Sequence, residues 1–129
     1  MVSVSEDNLS ILVLDDEPIV GKRLRAALEK SGYEVEVFED SRAALRRLDE
    51  REFDIIVTDV RMEEVDGIQV LEHVLERSSR TRVIVITGYA TVEVAREALA
   101  KGAFDFIAKP FKPDDLREVI AKAAEDLRS

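Results

Sequence analysis

The sequence predicts an α/β domain, doubly wound around a five-stranded parallel sheet. Five short apolar runs alternate along the chain with five segments whose apolar residues recur at helical spacing. Three of the runs are nearly continuous in Ile, Val and Leu, which is typical of strands covered on both faces. Repeated strand–helix units connect by right-handed crossovers, so they build a parallel sheet with helices on both sides.

The predicted strands differ in pattern along the chain. The first, third and fourth runs are the continuous apolar ones, whereas the second alternates between valine and glutamate, as an edge strand does. The five runs are Ile11–Leu14, Val35–Phe38, Asp54–Thr58, Arg82–Thr87 and Phe104–Ala108.

Each strand is followed by a segment with the apolar stripe of an amphipathic helix. The stripes include Val20, Leu24 and Leu28, then Ala44, Leu45 and Leu48, then Ile68, Leu71 and Leu75, then Ala95, Ala98 and Leu99, and finally Leu116, Ile120 and Ala123. Gly32 and Gly102 stand where a helix ends on a residue with left-handed backbone. Pro113 fits the first position of the last helix.

Length and composition limit the classes of function. The 129 residues suffice for one domain, and we expect a loose tail at residues 1–8 and the domain at 9–129. The net charge of −9 argues against direct nucleic-acid binding, which needs a basic surface. Cysteine is absent from the sequence, and no apolar run is long enough to span a bilayer. The N-terminus lacks a signal-peptide pattern, so we expect a cytoplasmic protein.

Acidic residues follow two of the predicted strands. Asp15 and Asp16 come directly after the first strand, and Asp59 comes directly after the third. If these strands are neighbours, the three carboxylates converge at the carboxyl edge of the sheet, where such folds bind ligands. Clustered carboxylates repel one another unless a cation neutralises them, and oxygen ligands of this kind suit Mg²⁺. The sequence therefore predicts a magnesium-dependent phosphoryl site.

These features together resemble the receiver domain of bacterial two-component response regulators. The resemblance covers about residues 9–127 and implies a flavodoxin-like sheet with strand order 2-1-3-4-5. The run from Gly102 to Phe111 agrees with the family as well. Within the family, the runs Thr87–Ala90 and Phe104–Phe111 look most like those of transcriptional activators, such as sigma-54-dependent ones. The main marks, each at a strand end, are Asp15-Asp16, Asp59, Thr87 and Lys109-Pro110.

The resemblance implies a role for each residue of the acidic pocket. Asp59 would be the nucleophile that accepts a phosphoryl group from a phosphohistidine. Asp16, Asp59 and the backbone carbonyl of Arg61 would bind Mg²⁺ directly, and Asp15 would act through a water molecule. In-line phosphoryl transfer depends on such neutralisation of charge more than on acid–base chemistry.

The resemblance also implies how the phosphoryl group is held and sensed. Lys109 would pair with Asp59 and then with a phosphoryl oxygen, and Thr87 would donate its hydroxyl to the same group. Phe106 would turn inward as Thr87 moves, and the bond between Lys109 and Pro110 would be cis. A phosphoryl group adds charge and acceptor oxygens, enough to bias a two-state element.

The sequence departs from the family's pattern in the loop after the nucleophile. Glu63 stands where proline is usual, so we expect a less stiff loop with Glu63 and Glu64 solvated rather than metal-bound. In the family, the positions of Arg61 and Tyr89 flank the path of the water that attacks the phosphoryl group. Because both side chains are bulky, we expect slow self-dephosphorylation.

The resulting hypothesis is a phosphorylation-driven signalling switch rather than an enzyme. Its expected partners are a sensor histidine kinase or phosphotransfer protein and a second copy in a phosphorylation-linked homodimer. Phosphorylation would shift the surface formed by the fourth helix, fifth strand and fifth helix, and this surface would control an effector, expected to be transcriptional. Neither nucleic acid nor a membrane is expected as a direct partner. Two alternatives stay open: a receiver-like interaction module that is never phosphorylated, and a magnesium-dependent phosphohydrolase. The second lacks an acid two positions after the nucleophile, where Arg61 stands.

Overall fold

The computed structural model describes residues 9–60, 66–88 and 92–129, and it confirms the predicted alternation of strands and helices. The strands are β1 (Ser10–Leu14), β2 (Glu34–Phe38), β3 (Ile55–Asp59), β4 (Arg82–Thr87) and β5 (Asp105–Ala108). The helices are α1 (Pro18–Lys30), α2 (Ser41–Glu50), α3 (Gly67–Arg77), α4 (Val92–Ala100) and α5 (Pro113–Arg128). The predicted tail at residues 1–8 lies outside the described residues.

The five strands form one parallel sheet in the order β2-β1-β3-β4-β5, as the resemblance implies. β1 lies between β2 and β3, with Leu14 opposite both Phe38 and Thr58. β2 is an edge strand, which confirms the prediction from its alternating pattern: Val35 is buried and Glu34 is exposed. The ends of β1 and β3 are therefore adjacent, which is the arrangement that the acidic residues require.

Alternate residues of each strand pack into two separate hydrophobic clusters, because successive side chains point to opposite faces of a sheet. Leu12 and Leu14 of β1 pack in the cluster that α2, α3 and α4 cover. Ile11 and Val13 pack in the cluster that α1 and α5 cover. Both faces of the central strands are thus dry, which explains why their sequences are continuously apolar.

The ends of the helices follow the local signals of the sequence. Gly32 and Gly102 have φ angles of +94° and +106°, in the region that only glycine enters without strain. Asp40 and Asp66 cap α2 and α3 by accepting hydrogen bonds from backbone N–H groups of the first turn. α5 begins at Pro113, as predicted. Within the described ranges, no helix combines the length and the apolar character that crossing a membrane requires.

Candidate functional site

Polar side chains from four strands meet at the carboxyl edge of the sheet. Asp15 directly follows β1, Asp59 is the last residue of β3, and Thr87 is the last residue of β4. Lys109 directly follows β5, and its backbone N–H donates to the carbonyl of Thr87 over 2.8 Å. The parallel register brings these strand ends side by side, so residues far apart in the sequence line one pocket. The peptide bond that follows, Lys109–Pro110, is cis.

Asp15 is a fully buried carboxylate at the floor of this pocket. Its Oδ1 accepts a hydrogen bond from the backbone N–H of Glu17 over 2.9 Å. Its Oδ2 lies 3.2 Å from the ammonium of Lys109, yet it accepts no hydrogen bond from any described residue. Burial raises the pKa of Asp15, and the negative charge of Asp59 adds to this, although the Glu17 N–H and Lys109 oppose it. A buried acid with an open oxygen is a ready ligand for a cation.

Lys109 is the positive charge of the pocket and contacts three carboxylates. Its Nζ donates to Asp59 Oδ2 over 2.9 Å and to Glu17 Oε1 over 3.0 Å, and it lies beside Asp15. Burial acts to lower the pKa of Lys109, but the hydrogen bonds to Asp59 and Glu17 and the charge of Asp15 outweigh it, so the pKa rises above its ordinary value. Lys109 is therefore held charged and pointed at the carboxylate of Asp59.

The carboxylate of Asp59 is held at a rigid strand end. The residue is 5% exposed, and the hydroxyl of Thr58 donates to its backbone carbonyl over 3.0 Å. The next residue, Val60, donates its N–H to the carbonyl of Ile86 on β4. The backbone at this point is fixed on both sides, and the hydrogen bond from Lys109 holds the carboxylate in the pocket.

Thr87 carries a hydroxyl without a hydrogen-bond partner among the described residues. The residue is 2% exposed, and its Oγ1 is one of two side-chain atoms in the described part of the chain that are buried and lack such a bond; the other is Asp15 Oδ2. Buried polar groups are nearly always paired, and leaving one unpaired has a cost in stability. Both atoms lie in residues at the carboxyl edge of the sheet, so both have the capacity to bind a ligand that enters the pocket.

The donors of the pocket fit a divalent cation. One carboxylate oxygen each from Asp15, Glu17 and Asp59 lie within 4.8 Å of one another. Three carboxylates and the ammonium of Lys109 give a formal charge of −3 + 1 = −2, which one divalent cation balances. Oxygen ligands without sulfur or imidazole suit Mg²⁺.

Two of the predicted metal ligands stand apart from this cluster. Asp16 is exposed, and its carboxylate is not part of the group within 4.8 Å. Arg61, whose carbonyl the resemblance assigns to the metal, lies outside the described residues, as do Glu63, Glu64 and Tyr89. Their roles stay predictions.

Phe106, the predicted switch aromatic, lies on β5 opposite Val85 of β4. It is half-buried and packs against the core cluster that α2, α3 and α4 cover. It therefore occupies the side of the sheet that faces α4.

Glu17 is the pocket residue that the sequence prediction missed. It follows the two predicted acids directly, so the run Asp15-Asp16-Glu17 could have drawn attention to it. A second signal is its place immediately before α1, where Ser, Thr, Asp or Asn is preferred as a cap. Glu17 makes no side-chain cap and reaches Lys109 instead.

Comparisons with known proteins agree with this geometry. The sequence profile of the response regulator receiver domain matches residues 11–121. The chain is similar to the regulatory protein AtoC of Escherichia coli strain K12, with 39% identity over 115 residues that cover 89% of the chain and 25% of AtoC. It is also 39% identical over 120 residues to the transcriptional regulatory protein ZraR of Escherichia coli O157:H7, covering 93% of the chain and 27% of ZraR. The chain spans about a quarter of the length of these curated relatives.

A solved structure shares the fold. The beryllofluoride-activated dimer of the NtrC4 receiver domain superposes with a TM-score of 0.86 at 36% identity, and the match covers 92% of the chain and 98% of that domain. The described fold is therefore found in a protein of clearly related sequence.

Proposed function

This chain belongs to the family of response regulator receiver domains, and we propose that it is a phosphorylation-activated switch in which Asp59 accepts the phosphoryl group. The observation that carries the proposal is the pairing of the Asp59 carboxylate with Lys109 over 2.9 Å at the carboxyl edge of the sheet. A carboxylate oxygen attacks phosphorus, the bond from phosphorus to a donor histidine nitrogen breaks, and its electron pair stays on the imidazole. The product is an acyl phosphate, which water later cleaves.

Charge neutralisation is the main contribution of the chain to this transfer, since the phosphoryl group carries its charge on three equatorial oxygens. Lys109 supplies one positive charge beside Asp59. Asp15 and Asp59, together with the predicted Asp16 and the carbonyl of Arg61, would hold Mg²⁺. When bound, Mg²⁺ would neutralise the remaining negative charge of the pocket and of the phosphoryl oxygens.

Thr87 and Phe106 would convert the chemical change into a structural one. The hydroxyl of Thr87, which has no hydrogen-bond partner in the described part of the chain, would donate to a phosphoryl oxygen on Asp59, one strand away. A shift of Thr87 toward that oxygen would change the packing around Phe106 on the neighbouring strand. We propose that this biases a two-state equilibrium of the surface formed by α4, β5 and α5, which is the output of the switch.

The partners follow from the family. A sensor histidine kinase or a phosphotransfer protein would supply the phosphoryl group. AtoC and ZraR are regulatory proteins about four times as long as the matched region, so an effector, attached or separate, would read the output. The NtrC4 receiver forms a dimer in its activated state, which supports a phosphorylation-linked homodimer here. We expect the protein to act in the cytoplasm, as a phosphoacceptor with only intrinsic self-phosphorylation and self-dephosphorylation.

Intact mass after incubation with Mg²⁺ and acetyl phosphate tests the proposal. We expect the wild-type protein to gain one phosphoryl group and Asp59→Asn to gain none. A parallel sample with excess chelator should also gain none, because the pocket would lack its cation. Circular dichroism establishes that both proteins are folded. A folded wild-type protein that stays unmodified would contradict the proposal and favour an interaction module.

A further inference from the structure

The ammonium of Lys109 donates hydrogen bonds to two carboxylates, one inside the pocket and one at its outer rim. The inner one is Asp59, which is nearly buried, and the outer one is Glu17, whose side chain is 63% exposed. Both accept true hydrogen bonds, over 2.9 and 3.0 Å. Asp15 lies on the third side at 3.2 Å without the geometry of a hydrogen bond. The direction of the ammonium is therefore set by Asp59 and Glu17 rather than by Asp15.

The backbone of Glu17 is held in a position from which its side chain reaches Lys109. Its backbone N–H donates to Asp15 Oδ1, and the carbonyl of the same residue accepts hydrogen bonds from the N–H groups of Val20 and Gly21 in the first turn of α1. The backbone is thus anchored on both sides, and the side chain does not cap the helix. A glutamate has the length to reach Lys109 from this position, whereas the shorter aspartate is the residue that helix capping prefers.

With Lys109 donating to Glu17 and Asp59, one oxygen of Asp15 meets the ammonium as an ion pair and not through a hydrogen bond. Asp15 Oδ2 is fully buried and accepts no hydrogen bond from the described residues, although an ammonium lies 3.2 Å away. If Lys109 turned from Glu17 and donated a hydrogen bond to this oxygen, its ammonium would compete directly with a cation for the oxygen. The hydrogen bond from Lys109 to Glu17 therefore accounts for the Asp15 oxygen that accepts no hydrogen bond from the described residues.

We propose that Glu17 is a positioning residue of the pocket: its carboxylate accepts a hydrogen bond from Lys109 that Asp15 would otherwise accept, and this keeps the buried Asp15 oxygen available to a divalent cation. The inference rests on the proposed function for the identity of the cation, Mg²⁺. It assigns to Glu17 a role that depends on the reach of its side chain, and not only on its negative charge.

Reach and charge are separated by two variants. Glu17→Ala removes both, and Glu17→Asp keeps the charge but shortens the side chain by one methylene. We expect the Mg²⁺ dissociation constant, measured by calorimetry on the full chain, to rise about tenfold in both variants, since residues that orient a ligand set have effects of this size. Glu29→Ala is the matched control, because Glu29 is an exposed glutamate on α1 that pairs with Arg25 away from the pocket. It should bind Mg²⁺ like the wild type.

A kinetic readout distinguishes positioning from damage to the reacting groups. The rate of phosphorylation by acetyl phosphate is measured as a function of Mg²⁺ concentration. In both Glu17 variants the half-saturating Mg²⁺ concentration should rise by the same factor as the dissociation constant. The plateau rate should stay within about twofold of the wild type, because Asp59, Lys109 and Thr87 are unchanged.

Three outcomes would overturn the inference. Wild-type Mg²⁺ affinity in Glu17→Asp with weak binding in Glu17→Ala would assign the effect to the charge of Glu17 alone. The other two are wild-type Mg²⁺ affinity in both variants, and a lowered plateau rate with an unchanged half-saturating Mg²⁺ concentration. The calorimetric arm needs no phosphoryl transfer. A wild-type protein that binds Mg²⁺ but leaves Asp59 unmodified would therefore contradict the proposed function without touching the role of Glu17.

Discussion

Gly67 packs against the backbone of Asp59 so closely that a Cβ atom on Gly67 would overlap the Asp59 carbonyl oxygen. The same atom would come within 2.8 Å of the Cα of Val60. The N–H of Gly67 also donates to the carbonyl of Val60 over 2.9 Å. The first turn of α3 is thereby pressed onto the strand end that carries Asp59, the proposed nucleophile, and only a residue without a side chain allows this approach.

Gly67→Ala should therefore disturb both stability and chemistry. The new methyl group meets backbone atoms that cannot rotate away, so we expect a loss of about 1–3 kcal/mol in the free energy of unfolding, measured in urea. Phosphorylation by acetyl phosphate should slow, because the end of β3 must shift. Gly88→Ala is the control for stability, since its Cβ would meet no described atom within 4 Å. Equal stability of the two variants would show that α3 can move aside at no cost.

The sequence predicted the edge of the sheet where the site lies, but not all of its contacts. Continuous apolar runs identify β1, β3 and β4, and a carboxylate directly after such a run must stand at a strand end, so Asp15 and Asp59 could be found from spacing alone. The contact between Glu17 and Lys109 joins residues 92 positions apart through an exposed side chain. It depends on the strand order and on the entry angle of α1, which no local pattern encodes.

The opposite end of the sheet illustrates the same limit. The apolar pattern placed Asp54 at the start of the third strand, whereas β3 begins at Ile55. Asp54 instead accepts hydrogen bonds from the backbone N–H and the hydroxyl of Ser10 and from the guanidinium of Arg80. These groups come from three separate segments, so the network exists only after the sheet has formed.

Thr87 and Thr81 should respond to replacement by valine in opposite directions. Both are buried, but the hydroxyl of Thr81 donates to the carbonyl of Phe53 over 2.7 Å, while that of Thr87 has no hydrogen-bond partner among the residues described. We expect Thr81→Val to lower the free energy of unfolding by about 1–3 kcal/mol, because it leaves a buried carbonyl with one donor fewer. Thr87→Val should raise it by about 1 kcal/mol, because it removes a buried hydroxyl that forms no hydrogen bond with the described residues.

Urea denaturation of the unphosphorylated proteins at pH 7 measures the free energy of unfolding of both variants. Each valine variant serves as the control for the other. The loss of the Thr87 hydroxyl should also weaken the response to phosphorylation, which a change in the size-exclusion profile or in amide chemical shifts would report. A destabilised Thr87→Val protein would mean that the hydroxyl has a partner in the unphosphorylated state.

The network around Asp54 predicts how stability depends on pH. Burial alone would raise the pKa of Asp54, but the Ser10 N–H, the Arg80 guanidinium and the Ser10 hydroxyl outweigh it and hold the pKa below its ordinary value. A carboxyl whose pKa is lower in the folded state stabilises the fold above its unfolded pKa of about 3.9. This stability is lost as the pH falls through the lower, folded value.

Asp54→Asn should therefore reduce the free energy of unfolding by about 1 kcal/mol at pH 7, since charge-assisted hydrogen bonds become neutral ones. The difference from the wild type should shrink below about pH 4, where the wild-type carboxyl is also becoming neutral. Asp126→Asn is the control, because Asp126 pairs with Arg82 at an exposed site, where ion pairs contribute little. A difference that stays constant from pH 7 to pH 3 would exclude the charge of Asp54 as its cause.

The Mg²⁺ affinity of single asparagine variants tests the predicted ligands, of which Asp16 is the most informative. Asp15 and Asp59 already lie within one group of oxygens, whereas Asp16 is exposed and lies outside it. Because an exposed side chain can turn without disturbing the core, we expect Asp16 to reach the cation by a rotation toward the pocket. We expect Asp16→Asn and Asp59→Asn each to weaken Mg²⁺ binding at least about tenfold by calorimetry, since each removes a carboxylate from the cation.

Asp40→Asn is the control for this measurement. It alters an exposed cap of α2 and should leave the affinity for Mg²⁺ unchanged. Wild-type affinity in Asp16→Asn would instead exclude Asp16 as a ligand and assign the metal to Asp15 and Asp59, whose oxygens the folded chain already brings together.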